Sequence, residues 1–184
     1  MTITKVLVPS GVLGLGFDVE ALRRGIKNKP DIISIDGGST DSGPASLGSG
    51  TSKYSRAAIK SEWKTLMQAR KEANVPLIIG TCGTCGTNSM VDWMEKITIE
   101  LAEELGQSLK IAKLYCEQNI DFLKNKLKIN RIFPLEPAPT LNVHLLDDLS
   151  HVVALAGAEQ VIEAINTGAD IILAGRTTDT AIIS

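Results

Sequence analysis

The stretch that decides the fold is DIISID, residues 31–36, followed directly by GGSTDSGPASLGSGTSKY, residues 37–54. A short apolar run that opens into glycine, serine and threonine is typical of a buried strand followed by a loop. The same order occurs three more times, where VLVPS precedes GVLGLG, PLIIG precedes TCGTCGTNS, and DIILAG precedes RTTDT. Four such units in one chain indicate that their loops share one site.

Helical patterns lie between these apolar runs, so the sequence predicts an α/β fold. Strands are expected at residues 5–10, 31–36, 76–80, 109–116 and 170–174. Helices are expected after Asp18, over residues 55–73, 120–127 and 158–166, and from Ser89 to Gly106, where Asp92 completes an S-x-x-D start. Strands that alternate with helices form parallel sheets through right-handed crossovers. We therefore predict a three-layer α/β/α fold with a mainly parallel sheet. Its loops would emerge at the carboxyl edge, the edge where the strands end and where such sheets bind ligands.

Length and composition narrow the class of protein. The 184 residues favour a single domain, residues 1–184, in which the proline-containing segment 131–140 is an irregular crossing. A formal net charge of -2, with basic and acidic residues mixed, gives no basic surface for nucleic acid or for an anionic membrane. No apolar run approaches the roughly 18 residues that span a bilayer, and residues 1–5 lack a signal-peptide core. Three cysteines fit a reducing compartment, so we expect a cytoplasmic location.

The segment 37–54 is a candidate binding loop, because a structureless stretch of this length inside a compact domain is uncommon and often functional. Small residues leave backbone N–H groups unhindered, and such groups bind anions. The turn after the third strand has the same composition. The predicted ligand is a small anionic molecule, a carboxylate or an acyl thioester. The residues expected to hold it through their amides are Gly37, Gly38, Ser39, Thr40, Gly83, Thr84 and Gly86.

Two carboxylates, Asp36 and Asp41, flank the start of this loop. They suit a divalent cation such as Mg²⁺, which prefers oxygen ligands. Alternatively, one of them with a raised pKa acts as an acid or a base. The third reading is that each aspartate caps a solvated turn.

Arg176, Thr177 and Asp179 follow the last predicted strand. The planar guanidinium of an arginine can clamp a carboxylate or a phosphate with two parallel hydrogen bonds. Asp179 would then orient Arg176 or take a proton, and the alternative is that the pair caps a final helix. Glu117, at the end of the fourth strand, is a further candidate.

Three other motifs are weaker indications of a functional role. Cys82 and Cys85 form a C-x-x-C turn that could be a redox dithiol, but no second C-x-x-C completes a zinc site, so packing of small residues is favoured. The glycines of segment 11–16 are in the wrong order for a dinucleotide fingerprint and lack the lysine of a P-loop, which favours a tight turn. His144 and His151 are typical of surface positions and receive no role.

The chain resembles the acyclic terpene utilisation protein A family. The segments that carry this resemblance are VPSGVLGLGF (8–17), RRG (23–25), DGGSTDSGP (36–44), LGSG (47–50), SR (55–56) and GADIILAGRTTDTA (168–181). The resemblance covers nearly the whole chain and implies a link to the breakdown of branched terpenoid acids, without naming a reaction or a catalytic set. Members with small residues in place of Cys82 and Cys85 weigh against a redox role.

Members of that family are longer, which implies that this chain matches their N-terminal portion. We therefore expect a second copy or a partner chain to cover the aliphatic sheet face left bare. The first functional hypothesis is an enzyme domain of the lyase or hydrolase type, in which Arg176 clamps the anion and Asp36, Asp41 or Asp179 moves a proton or holds Mg²⁺. The rival is a non-catalytic binding or assembly module, because no nucleophile and base are adjacent in the sequence.

Overall fold

A parallel five-stranded sheet forms the centre of the molecule. The computed structural model describes residues 3–38 and 43–184. Its strands are β1 (Val6–Leu7), β2 (Ile32–Asp36), β3 (Leu77–Gly80), β4 (Ile111–Leu114) and β5 (Ile171–Ala174). They lie in the order β1-β2-β3-β5-β4, and every neighbouring pair is parallel. The register places Ile33 opposite Leu77 and Leu77 opposite Ile171. The predicted α/β fold with a parallel sheet is confirmed.

Helices occupy both faces of this sheet. They are α1 (Val19–Lys27), α2 (Ala45–Ser49), α3 (Arg56–Ala73), α4 (Asn88–Leu105), α5 (Ile120–Lys128), α6 (Val143–Asp147) and α7 (Ala158–Asn166). Several begin at side chains that satisfy a free N–H of the first turn. Asp18 accepts from the Glu20 N–H, and Ser55 accepts from the Ala58 N–H. The left-handed Gly106 ends α4, as its position in the sequence predicts.

The larger core lies on the face covered by α1, α3 and α4. Alternate strand residues point into it, as expected for a pleated sheet, and they are fully buried: Ile33, Ile35, Leu77, Ile79, Ile171 and Leu173. Trp63 of α3 and Met94 of α4 are fully buried against them. The Trp63 indole N–H donates to Thr98 Oγ1 at 2.9 Å, so its one polar atom is satisfied inside the core.

The opposite face is covered by α7 and by the turns at residues 179–183. Val161 of α7 and Ile182 pack there on Ile78 and Ile172 of the sheet. Beside them is a groove of about 490 Å³ with mainly apolar walls. Residues that precede strands β1, β2 and β3 line part of it, so the groove lies toward the amino ends of the strands, away from the carboxyl edge. The two covered faces complete the three layers.

Some boundaries differ from the sequence prediction. Strand β1 is only two residues long, and β4 ends at Leu114. Helix α2 interrupts the segment 37–54, which was expected to lack regular structure. Helix α4 begins at Asn88 after a Thr87 cap, not at Ser89. The segment 131–140 contains neither helix nor strand. None of the helices in the described ranges combines the length and apolar character that a membrane crossing requires.

Candidate functional site

The loops that follow β2, β3 and β5 meet at the carboxyl edge of the sheet. The Gly37 N–H donates to Gly80 O at 2.7 Å, and the Thr84 N–H donates to Gly37 O at 3.1 Å. The Arg176 N–H donates to Gly86 O at 3.2 Å. The order of the sheet explains this convergence, because β2, β3 and β5 are parallel neighbours whose carboxyl ends lie side by side.

Two glycines are required by the close approach of these loops. A Cβ at Gly37 would lie 2.4 Å from the carbonyl oxygen of Thr81. Gly86 has a φ of +67°, and a Cβ there would lie 2.4 Å from the backbone nitrogen of Arg176. Both obstacles are backbone atoms, which cannot turn aside as the end of a flexible side chain can. The glycines therefore allow one loop to pack on the next.

Four of the seven backbone amides that were expected to face a ligand donate within the protein. Besides the bonds of Gly37 and Thr84, the Gly38 N–H donates to Asp36 Oδ1 at 3.2 Å. The Gly86 N–H donates to Cys82 O at 3.0 Å. These four donors are satisfied, so they are not free to hold a ligand.

The remaining predicted loop residues divide into two groups. Ser39, Thr40 and Asp41 lie outside the described residues, and their roles stay predictions. Gly83 is buried against Met90, whose Sδ would lie 2.6 Å from a Cβ at this position. Its left-handed backbone therefore packs on helix α4.

A charged cluster of Asp36, Asp179 and Arg176 occupies the meeting point of the loops. Arg176 Nη1 donates to Gly38 O at 3.5 Å, which ties the guanidinium to the loop after β2. Burial raises the pKa of Asp36 to about 6. The Gly38 N–H opposes this rise, the negative charge of Asp179 adds to it, and Arg176 opposes it. A carboxyl group with a pKa in this range can both accept and donate a proton near neutral pH.

Thr177 stabilises the backbone next to this cluster through contacts with Thr81. It is buried, and its N–H donates to Thr81 Oγ1 at 3.4 Å. The two threonine hydroxyl oxygens lie 3.5 Å apart. These contacts fix the backbone beside Arg176, which is half-buried, and Asp179, which is exposed.

The described residues contain no cluster of metal-ligating side chains, and the Mg²⁺ role of the carboxylates stays a prediction. Asp36 and Asp179 supply two carboxylates, and within ranges 3–38 and 43–184 no group of three or more histidine, cysteine, aspartate or glutamate side chains could hold a metal ion.

The three thiols are buried at the same edge. Cys82 and Cys85 lie in the turn after β3, and Cys116 follows β4. Burial raises the pKa of the Cys82 thiol strongly, and burial also raises the pKa of Cys116. Because the thiolate is the reactive form, these two side chains are poor nucleophiles and poor redox groups.

The glycine-rich turn after β1 is held by a single side chain of α3. Glu62 accepts from the Gly14 N–H at 2.7 Å through one carboxylate oxygen and from the Gly16 N–H at 2.8 Å through the other. The Leu13 N–H donates to Asp36 O at 2.8 Å. This geometry agrees with the tight-turn reading of the sequence.

Sequence reasoning missed a glutamate and histidine pair at the end of β4. Glu117 Oε1 lies 2.6 Å from His151 Nδ1, and Glu117 Oε2 accepts from the Asn88 N–H at 3.0 Å. Asn88 Oδ1 accepts from the Glu117 N–H at 3.2 Å in return. Glu117 was a candidate by its position, but His151 lies 34 residues further along the chain, and no local pattern signals the pairing.

One comparison with known proteins identifies the family. The family model described as acyclic terpene utilisation family protein AtuA matches residues 28–184, more than four fifths of the chain. The chain belongs to the AtuA family. Neither the curated proteins nor the solved structures contain a match to it.

The AtuA match includes strands β2 to β5 and the charged cluster at the carboxyl edge. The glutamate and histidine pair at Glu117 and His151 also lies within it. Strand β1 and the turn held by Glu62 contribute residues 6–16, which precede the matched range. The candidate site of this AtuA-family chain is therefore built by the matched part.

Proposed function

We propose that this AtuA-family chain is a small-molecule enzyme domain that binds a carboxylate or an acyl thioester at the carboxyl edge of its sheet. The reaction is of the lyase or hydrolase type. The observation that carries the proposal is the cluster of Arg176, Asp36 and Asp179 at the point where three loops meet. One cation beside two carboxylates, one of them with a pKa of about 6, supports both anion recognition and proton transfer.

Arg176 is the proposed anion clamp. Because the amides of Gly37, Gly38, Thr84 and Gly86 already donate within the protein, we assign the negative charge of the ligand to the guanidinium. Its hydrogen bond to Gly38 O and the fixed backbone at Thr177 limit where it can point. A positioned guanidinium stabilises a carboxylate in the bound state and an oxyanion that forms during reaction.

Asp36 is the proposed proton carrier. Its position at the end of β2 makes Asp36 partly buried, and burial is the main cause of its raised pKa. A ligand that brings a negative charge to Arg176 removes part of the positive field that favours the ionised Asp36. Ligand binding and protonation of Asp36 are therefore coupled in this proposal.

A thermal-shift screen tests the proposed ligand class. The probes are 3-methylbutanoate and 3-methylbutanoyl-CoA, and the variants are Arg176→Gln and Arg23→Gln, the latter an exposed arginine of α1. A ligand at one hundred times its Kd stabilises the folded state by about 2.7 kcal/mol, which raises the Tm of a chain of this size by about 5 to 10 °C. We expect this shift in the wild type and in Arg23→Gln, and its loss in Arg176→Gln.

The opposite pattern would favour the rival function. If neither probe shifts the wild-type Tm and light scattering finds a stable oligomer, a non-catalytic binding or assembly module fits better. If the probes shift the Tm equally in all three proteins, the ligand class is right but Arg176 is not the clamp.

A further inference from the structure

We propose that His151 is the proton acceptor for a ligand bound at the carboxyl edge, and that Glu117 is its positioning residue. The inference rests on the proposed function and adds a reacting atom, His151 Nε2, to the same site. Two observations carry it: the hydrogen bonds that fix Glu117 beside His151, and the place of the ring between two loops of the edge. The tautomer of the imidazole is inferred from the first of them.

Glu117 is fixed by both of its carboxylate oxygens. Oε2 accepts from the N–H of Asn88, the first residue of helix α4, and Oε1 meets His151 Nδ1 at 2.6 Å. The backbone N–H of Glu117 donates to Asn88 Oδ1, so the main chain is held as well. A helix N-terminus favours a negative charge beside it, and the Asn88 N–H makes this contact.

An ionised carboxylate only accepts hydrogen bonds, so His151 Nδ1 has to carry the hydrogen. In the neutral imidazole this leaves the lone pair on Nε2. No residue within the described ranges donates a hydrogen bond to that atom. A carboxylate that accepts from Nδ1–H and leaves the lone pair on Nε2 is the arrangement by which enzymes orient a histidine base.

The His151 ring lies between parts of the chain that already belong to the edge. A Cβ at Gly50 would lie 2.6 Å from Nε2, so the ring packs on the segment that follows β2. The segment after His151 bonds first to the loop of β4, through the Ala154 N–H and Cys116 O at 2.8 Å. It then reaches the loop of β5, where the Ala156 N–H donates to Arg176 O at 2.9 Å.

The proposed step is a single proton transfer. The lone pair of His151 Nε2 forms a new N–H bond, and the proton comes either from the carbon next to the carbonyl of an acyl thioester or from a water molecule. The electrons of the broken bond stay on that carbon or oxygen, and Arg176, as the proposed anion clamp, stabilises the negative charge that develops. The imidazolium that results is paired with the Glu117 carboxylate, so no other reactant is needed.

The test uses 3-methylbutanoyl-CoA as the probe and His151→Asn as the main variant. The asparagine amide keeps a hydrogen-bond donor for Glu117 but has no basic nitrogen. The variant therefore distinguishes a role of His151 as a base from a purely structural role. Proton NMR in D₂O follows exchange at the carbon next to the carbonyl, and chromatography follows release of free CoA. We expect one of these rates to fall roughly 100-fold or more in His151→Asn. His144→Gln, which changes the other histidine, should leave it unchanged.

Two further readouts keep the result unambiguous. Long-range ¹H–¹⁵N spectra of histidine-labelled protein should show His151 with its hydrogen on Nδ1, and Glu117→Gln should remove that preference. The probe should still raise the Tm of His151→Asn, because the anion clamp is intact. A wild-type rate in His151→Asn, or a His151 hydrogen on Nε2, would overturn this inference alone. The lack of any thermal shift or turnover in the wild type would overturn the proposed function and this step together.

Discussion

Replacing Asp36 with asparagine tests the electrostatics of the site without a ligand. The folded-state pKa of Asp36 is about 6, against an ordinary value of 3.8. The stability that its protonated form contributes is complete below pH 3.8 and is lost as the pH rises through about 6. A difference of about two pKa units corresponds to about 3 kcal/mol. Asparagine is neutral at every pH and keeps the oxygen that accepts from the Gly38 N–H. Asp36→Asn should therefore be more stable than the wild type by about 3 kcal/mol at pH 8.

Urea unfolding followed by tryptophan fluorescence at pH 4, 6 and 8 measures this difference. We expect it to be less than about 1 kcal/mol at pH 4 and to grow as the pH rises. Asp148→Asn, an exposed aspartate after α6, is the control and should show no such growth. The reasoning would be refuted by an Asp36→Asn variant that is less stable than the wild type at pH 8, since that would mean that attraction to Arg176 outweighs burial.

Three further perturbations test the packing. Gly37→Ala should lower the free energy of unfolding by about 1 to 3 kcal/mol or more, because its Cβ would lie 2.4 Å from a backbone atom. The control Gly48→Ala has no atom within 4 Å of its Cβ, so the free energy of unfolding should stay unchanged or rise. Thr98→Val should cost about 1 to 3 kcal/mol, because it leaves the buried Trp63 N–H without an acceptor, and Thr98→Ser should recover most of that loss. Cys82 should react with a thiol reagent only when urea unfolds the chain, and rapid reaction in the native protein would contradict its burial and raised pKa.

The sequence was sufficient for elements whose signals are local. Asp18 caps α1 as its position predicts, α3 begins one residue after the predicted start at Ser55, and the aliphatic runs at residues 31–36 and 76–80 contain β2 and β3. These features depend on side chains within one turn of the helix or within the strand itself. Neighbouring residues therefore determine them.

Long-range contacts account for the boundaries that differ. Glu117 accepts from the Asn88 N–H, so a residue 29 positions away satisfies the start of α4. The Ser89 pattern suggested a later start, because no local feature reveals that contact. The order of the sheet, with β5 between β3 and β4, is likewise a tertiary result, and it brings Arg176 beside Gly86.

The convergence of the loops follows from the sequence, whereas the partners of their amides do not. Glycine-rich loops after parallel strands converge as expected, but four of their amides donate to carbonyl oxygens or to Asp36, which composition does not disclose. Asp36, Asp179 and Arg176 are brought together as expected from their positions after β2 and β5. His151 was overlooked because its partner is on another segment.

Chemical-shift mapping with 3-methylbutanoate tests the central claim most directly. In ¹H–¹⁵N spectra of the labelled protein, we expect the anion to perturb amides at residues 36–38, 81–86 and 175–179, and to lose this effect in Arg176→Gln. Perturbations that cluster instead around the apolar groove at Val161 and Ile182, at the other end of the sheet, would contradict the account.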